Sequence, residues 1–137
     1  MGVDVIDLPA NSKEDISRAF DKLSHEKHVG LIVTPGSFTL EYRREITHLA
    51  LLHRIPAIYR FRYFTEVGGL ASYGAGVDTA LMEAADYIDK ILHGANPADL
   101  PIQRPTKLKL TLNRRSAKQM GIEFPPSLLV LADHIIE

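Results

Sequence analysis

The order of three short apolar runs and the two amphipathic stretches between them constrains this fold most. Val3–Leu8, Leu31–Val33 and Ala57–Tyr59 are apolar and rich in β-branched residues. Runs this short, bounded by Pro9, Thr34-Pro35-Gly36 and Pro56, read as buried strands. Between the first two, Asn11-Ser12 offers a helix cap, with Asp15 three residues after Ser12. Ile16, Ala19, Phe20 and Leu23 then recur at helical spacing, and His25–His28 looks like the helix end. Between the second and third runs, Thr39 is placed to cap a helix from Leu40 to His53. Its inner stripe is Tyr42, Ile46, Leu49 and Ala50, and Pro56 closes it off. Strand-helix-strand-helix-strand implies an α/β fold with a parallel sheet and right-handed crossovers.

Beyond Tyr59 the punctuation is denser. Arg60–Gly69 reads as an irregular aromatic and basic connection with room for one helical turn. Leu70–Tyr73 reads as a fourth short strand, and Gly74 and Gly76 as a turn. Asp78–His93 carries Leu81, Ala84, Ala85, Ile88 and Leu92 on one helical face, with Gly94 placed to end it. Asn96–Thr106 holds three prolines and reads as a connection. Leu108–Leu112 alternates like a half-exposed strand. Ser116–Met120 is a short helix ended by Gly121, and Ser127 is placed to cap a last helix through Ile136.

Composition excludes several functions. The 137 residues suit one domain with a real core. No cysteine is present, which removes disulfides and thiol chemistry. A net charge of -1 gives no global pull toward nucleic acid or a membrane. The basic edge of Arg104, Lys107, Lys109, Arg114, Arg115 and Lys118 lacks the aromatic residues that stack bases, so no nucleic-acid partner is expected. No Gly-rich phosphate loop occurs, and no cofactor is expected. The histidine pairs His25/His28 and His48/His53 lack carboxylates at ligand spacing, so no metal is expected. Ser37 follows a strand, but its neighbours are not those of a nucleophile elbow, and no catalytic residue is assigned. Met1-Gly2 leads into Val3 with no basic, apolar leader, so no export signal is expected in the chain as written.

The candidate site is a polar-aromatic cluster after the third strand: Tyr59, Arg60, Phe61, Arg62, Tyr63, Phe64, Glu66 and Tyr73. Open parallel sheets bind ligands beyond the carboxyl ends of their strands, where Gly36, Ser37 and Phe38 are also expected. The expected ligand-binding set is Gly36, Ser37, Phe38, Tyr59, Arg62, Glu66 and Tyr73. An arginine grips a carboxylate in two places, and aromatic rings sandwich a flat body. The same cluster equally suits Phe61 and Phe64 plugging the sheet end.

The stretch Tyr87–Pro126 carries a resemblance. It runs Tyr87-Ile-Asp-Lys-Ile-Leu-His-Gly-Ala-Asn-Pro-Ala-Asp-Leu-Pro101, then Arg104-Pro105-Thr106-Lys107, Asn113, Ala117-Lys118 and Gly121-Ile122, closing on Pro125-Pro126. With Pro56–Tyr59, Gly68-Gly69-Leu70 and Ser72-Tyr73-Gly74, it is similar to the ABC-transporter substrate-binding proteins related to tryptophan/tyrosine-binding lipoproteins. The resemblance implies a three-layer parallel sheet with flanking helices, like one lobe of a type I periplasmic binding protein plus its C-terminal tail. It places a ligand-facing lobe at 1–73 and a crossover helix, strand and terminal helices at 74–137, with the N-terminal lobe absent.

Functionally it implies a solute-binding component that traps a small molecule, an amino acid in some members, and delivers it to a permease without chemistry. The implied location is periplasmic or lipid-anchored outside the cytoplasm, against a cytoplasmic one for the chain as written. With one lobe alone, exposed apolar faces would favour a homodimer or strand exchange. The tail is then expected to serve as packing and assembly surface, leaving binding to the loops around Ser37, Tyr59 and Arg62. The alternatives are a self-associating truncated remnant without a ligand and, further off, a flavodoxin-like enzyme or regulator.

Overall fold

Five strands form one sheet in the spatial order of the chain, and helices flank it. The computed structural model describes residues 2–102 and 107–137. Strands β1 (Leu31–Val33), β2 (Ala57–Tyr59) and β3 (Ala71–Ala75) run parallel. β4 (Leu108–Asn113) pairs antiparallel with β3, and β5 (His134–Ile136) pairs parallel with β4. The sheet is therefore mixed, with the parallel half as read from the sequence and a reversed half beyond it.

The helices form where apolar spacing and local caps allow. α1 (Lys13–Ser24) begins after Ser12, whose Oγ accepts from the Asp15 amide at 3.1 Å. The Asp15 carboxylate reaches back to the Asn11 amide at 3.0 Å, one residue earlier than a standard capping box. α1 buries Ile16, Phe20 and Leu23. The stretch read as one helix from Leu40 to His53 is two: α2 (Ser37–Glu41) and α3 (Arg43–Leu52), broken at Tyr42. Thr39 is not the cap. Its hydroxyl lies 3.0 Å from the Thr34 carbonyl and 3.1 Å from that of Gly36, a local bond that competes with capping.

The core lies against one sheet face. Ile16, Phe20 and Leu23 of α1 and Ile46 and Ala50 of α3 meet Ala57 and Tyr59 of β2. Phe64, from the single-turn α4 (Arg62–Glu66), joins them. A second cluster sets Leu70 against Ala117 and Met120 of α6 (Arg114–Met120). Strand alternation puts Ile32, Ile58, Tyr73 and Leu108 on the opposite face, where all four are exposed.

Two expected elements are replaced. Val3–Leu8 forms no strand, and Val3 and Val5 are 81% and 91% exposed. β-propensity supplies no partner, and β1 is paired on one side only, with β2. The last helix stops early: α7 spans Pro126–Leu131, with Pro125 rather than Ser127 at its cap position, and β5 follows. Asp133 causes the exit. Its amide donates to Leu110 O at 2.9 Å, and its Oδ2 accepts from the Leu110 amide at 2.7 Å. That clamp lays the chain along β4 instead of continuing the helix.

α5 (Val77–Leu92) stands apart from the core: none of its described residues is buried, and Leu81, Ile88 and Leu92 are exposed on its apolar stripe. Gly94 and Gly121 end α5 and α6 at φ 96° and 73°, backbone that favours glycine. The connection after α5 includes a 3₁₀ turn at Pro97–Asp99, while Arg104 and Thr106 lie outside the described residues.

Tyr59 is the one side chain sealed from solvent without a hydrogen-bond partner for its hydroxyl among the described residues. Burial pushes its phenol well above the ordinary value of 10.0. In the unfolded chain the phenol releases its proton near pH 10, whereas the native state keeps it. The unfolded state then binds fewer protons, so stability falls as pH rises past about 10. Tyr59→Phe is expected to leave stability at neutral pH unchanged or up by about 1 kcal/mol. It should also flatten the alkaline loss, and urea unfolding of both proteins at neutral and alkaline pH reads both effects.

Candidate ligand site at the carboxyl edge of the sheet

A cavity of about 360 Å³ opens where the carboxyl ends of β2 and β3 meet the starts of β4 and β5. That volume suits a small molecule. One wall is Arg60, Phe61, Arg62 and Tyr63, the segment leaving β2. The floor is the helix-bearing face of the sheet: Ser72 and Gly74 on β3, Lys109 and Thr111 on β4, and His134 on β5. Gly76, Val77 and Asp78 bring the start of α5 to the far side, and Asp133 closes the rim.

Close backbone approach shapes the wall. A Cβ on Gly74 would lie 2.5 Å from the Arg60 carbonyl oxygen, so only glycine lets the Arg60 segment rest on β3. Arg60 leans on the Phe61 ring at 5.6 Å. Arg62 Nε donates to Glu66 Oε1 at 2.8 Å across one turn of α4. Both side chains are largely exposed, so the pair orients Arg62 more than it stabilises the fold.

A buried amide fixes α4 and thus the wall. Asn113 Nδ2 donates to Thr65 O at 3.0 Å, and its Oδ1 accepts from the Ser116 amide at 2.9 Å. Ser116 Oγ donates to Gly68 O at 2.8 Å. Asn113 thus caps α6 and pins the end of α4 with one side chain.

Of the seven residues expected to bind ligand, Arg62 lines this cavity and Glu66 holds it. Gly36, Ser37 and Phe38 do not line it; they begin α2, and the Phe38 ring packs on Tyr42 at 4.7 Å. Tyr59 is 2% exposed, stacked on Phe64 at 4.6 Å, and belongs to the core rather than the cavity. Tyr73 points to the opposite sheet face, because it is one residue out of step with Ser72 and Gly74. The aromatic cluster divides: Phe64 plugs the sheet end within the core, while Phe61 lines the cavity.

Ser72, Lys109, Thr111, Asp78, Asp133 and His134 were not singled out as ligand residues. The polar positions of Leu108–Leu112 carried a usable signal, but alternation alone does not say which face of a strand meets solvent. The tail is therefore not confined to packing, since Lys109 and Thr111 form cavity floor. Among the described residues no three His, Asp or Glu side chains converge as a metal site, and no helix is long and apolar enough to cross a membrane.

Fold and cavity together describe an α/β sheet with a cavity of small-molecule size at its carboxyl edge. Residues 1–136 match the family model for ABC transporter substrate binding protein. The chain belongs to that family. No curated protein matches it.

Solved structures show the same fold. An ABC domain in complex with L-Trp from Streptococcus pneumonia superposes at TM-score 0.79 and 24% identity, covering 91% of this chain and 43% of that one. A conserved domain protein from Vibrio cholerae O1 biovar El Tor gives 0.76 and 23%, covering 89% and 41%. A ligand-free, open substrate binding protein with adhesive properties from Clostridium difficile gives 0.67 and 19%, covering 93% and 42%. The chain thus spans about two-fifths of the length of the structures it matches.

Asn113→Ala tests the buried clamp. Each group left unpaired should cost about 1–3 kcal/mol. Denaturant unfolding should show that loss, and amide exchange should rise first in residues 60–68.

Proposed function

We propose that this chain is a lobe of the solute-binding component of an ABC-type uptake system. It holds a small molecule such as an amino acid at the edge lined by Arg60, Arg62 and Thr111 and hands it to a permease without chemistry. The observation that carries this reading is the cavity itself, at the carboxyl ends of parallel strands, with cationic, hydroxyl and aromatic side chains converging on it. Family membership supports the uptake role and a location outside the cytoplasm. The neighbour bound to L-Trp supports an amino acid as the ligand class.

The cavity is open on one side, so affinity from this surface alone should be weak, in the millimolar range at about -4 kcal/mol. Titration with L-tryptophan, followed by amide chemical shifts, should move Arg60, Arg62 and Val77 first. Shifts nowhere near these residues at millimolar ligand would sink binding by this chain.

A second reading concerns assembly. The uncovered stripe of α5 and the exposed sheet face with Ile32, Ile58 and Tyr73 support pairing with a second copy of the chain. Sedimentation at rising concentration should show a dimer, and Leu81→Glu with Ile88→Glu should shift it toward monomer. Stability should change by no more than about 0.5 kcal/mol per site, because both side chains are exposed. A monomer at all concentrations would refute this reading.

A further inference from the structure

We propose that Val3–Asp7 of one copy of this chain adds as a strand to the free edge of β1 in a second copy, and that the exchange is reciprocal. This inference rests on the assembly reading above and names the segments that join. The acceptor is the outer side of β1. The Leu31 amide donates to Pro56 O at 2.8 Å, so the backbone groups of Leu31 and Val33 face β2. In a parallel ladder the residue between them turns the other way, so Ile32 N–H and C=O face away from the sheet. No strand among the described residues pairs there. The edge also lacks the usual protection. No residue from 29 to 40 is charged, and the Ile32 side chain is 76% exposed. Edges that stay solitary carry lysine, proline or a bulge along their length. Here Pro35 only bounds the edge, and the Thr34 carbonyl already accepts from Thr39 Oγ1 at 3.0 Å.

Val3–Asp7 is the donor. It lies in a stretch that joins no ladder, with Val3, Val5 and Ile6 exposed. Leu8 and Ala10 pack against the first core cluster, so the segment is tethered at one end and runs off the core at the other. Extended from Gly2 to Asp7, it spans about 20 Å. β-branched apolar residues held in water with unpaired backbone are a strand without a sheet. Pro9 stiffens the joint to α1. A short, stiff hinge favours exchange between copies over closure on the same chain.

Donor and acceptor match on both faces. Leu31 and Val33 lean on the core cluster, while Ile32 lies on the open face. A strand beside β1 must therefore be apolar on both sides. Alternation puts Ile6 on one side of the donor and Val3 and Val5 on the other. Ile6 then covers the flank of Leu31 and Val33, and Val3 and Val5 extend the exposed row of Ile32 and Ile58. Asp4 and Asp7 fall one on each face of the added strand. They leave the new outer edge charged, so addition stops at one strand. A reciprocal pair uses both donors and both acceptors, which closes the assembly as a twofold dimer rather than a fibre.

The chain contains no cysteine, so engineered thiols report contact without background. Val5→Cys and Ile32→Cys proteins, unfolded together in urea, refolded and mildly oxidised, should give a disulfide-linked dimer. Val5→Cys mixed with Ile102→Cys, a fully exposed position after the 3₁₀ turn, should give none beyond random collision. In sedimentation, Val5→Pro and Ile32→Lys, both at exposed positions that do not threaten folding, should each weaken self-association at least about tenfold. A dimer that forms no Val5→Cys to Ile32→Cys disulfide and is untouched by Val5→Pro overturns the strand exchange and leaves the assembly reading standing. So does a disulfide formed only within single chains of the Val5→Cys/Ile32→Cys double variant, because the segment then pairs with its own β1. A monomer at every concentration removes the assembly reading and the exchange together.

Discussion

One buried amide holds together the parts of this molecule that shape the cavity. Asn113 sits where β4 ends and α6 begins. Its side chain donates to Thr65 O at the end of α4 and accepts from Ser116 at the start of α6. Its backbone amide donates to Leu70 O, just before β3. Two stretches far apart in sequence, 65–70 and 113–116, therefore meet at one residue. A buried amide has few alternative partners, so this geometry is costly to loosen. The antiparallel β3–β4 register follows from it, and that register sets Ser72 opposite Thr111. Gly74 then admits the Arg60 backbone, and the cavity takes its shape.

The parallel half of the sheet was legible because local pattern and tertiary role agree there. Leu31–Val33, the amphipathic stretch after it and Ala57–Tyr59 each point to the same crossover. Val3–Leu8 failed because its pattern fits a strand but no second strand receives it. The last helix failed at Asp133, whose two bonds to Leu110 span 23 residues of sequence. A contact that distant leaves no local trace. The break at Tyr42 belongs to a third class, where Thr39 bonds backwards to Thr34 and Gly36 instead of capping forwards.

The site was legible only as a neighbourhood. The carboxyl-edge rule points to the loop after β2, and Arg62 of that loop lines the cavity. Tyr59 looked like a ligand residue because it ends a strand, but strand parity turns it into the core with Ala57. Tyr73 turns the other way, onto the uncovered face, because parity on β3 is set by its pairing with β2 and β4. Ser72 and Thr111 look unremarkable in sequence, and only the register of two strands makes them a pair. The family tail thus has a second role: its strand completes the cavity floor. α5 links both themes, since its first turn reaches the cavity while its apolar stripe remains uncovered.

Amide hydrogen exchange with and without L-tryptophan tests the central claim most directly. The account predicts slower exchange on ligand addition at residues 60–63, 76–78 and 133–134, with the Gly36–Phe38 turn unchanged. Protection confined to α2, to α6 and α7, or found at no residue of the cavity would contradict it.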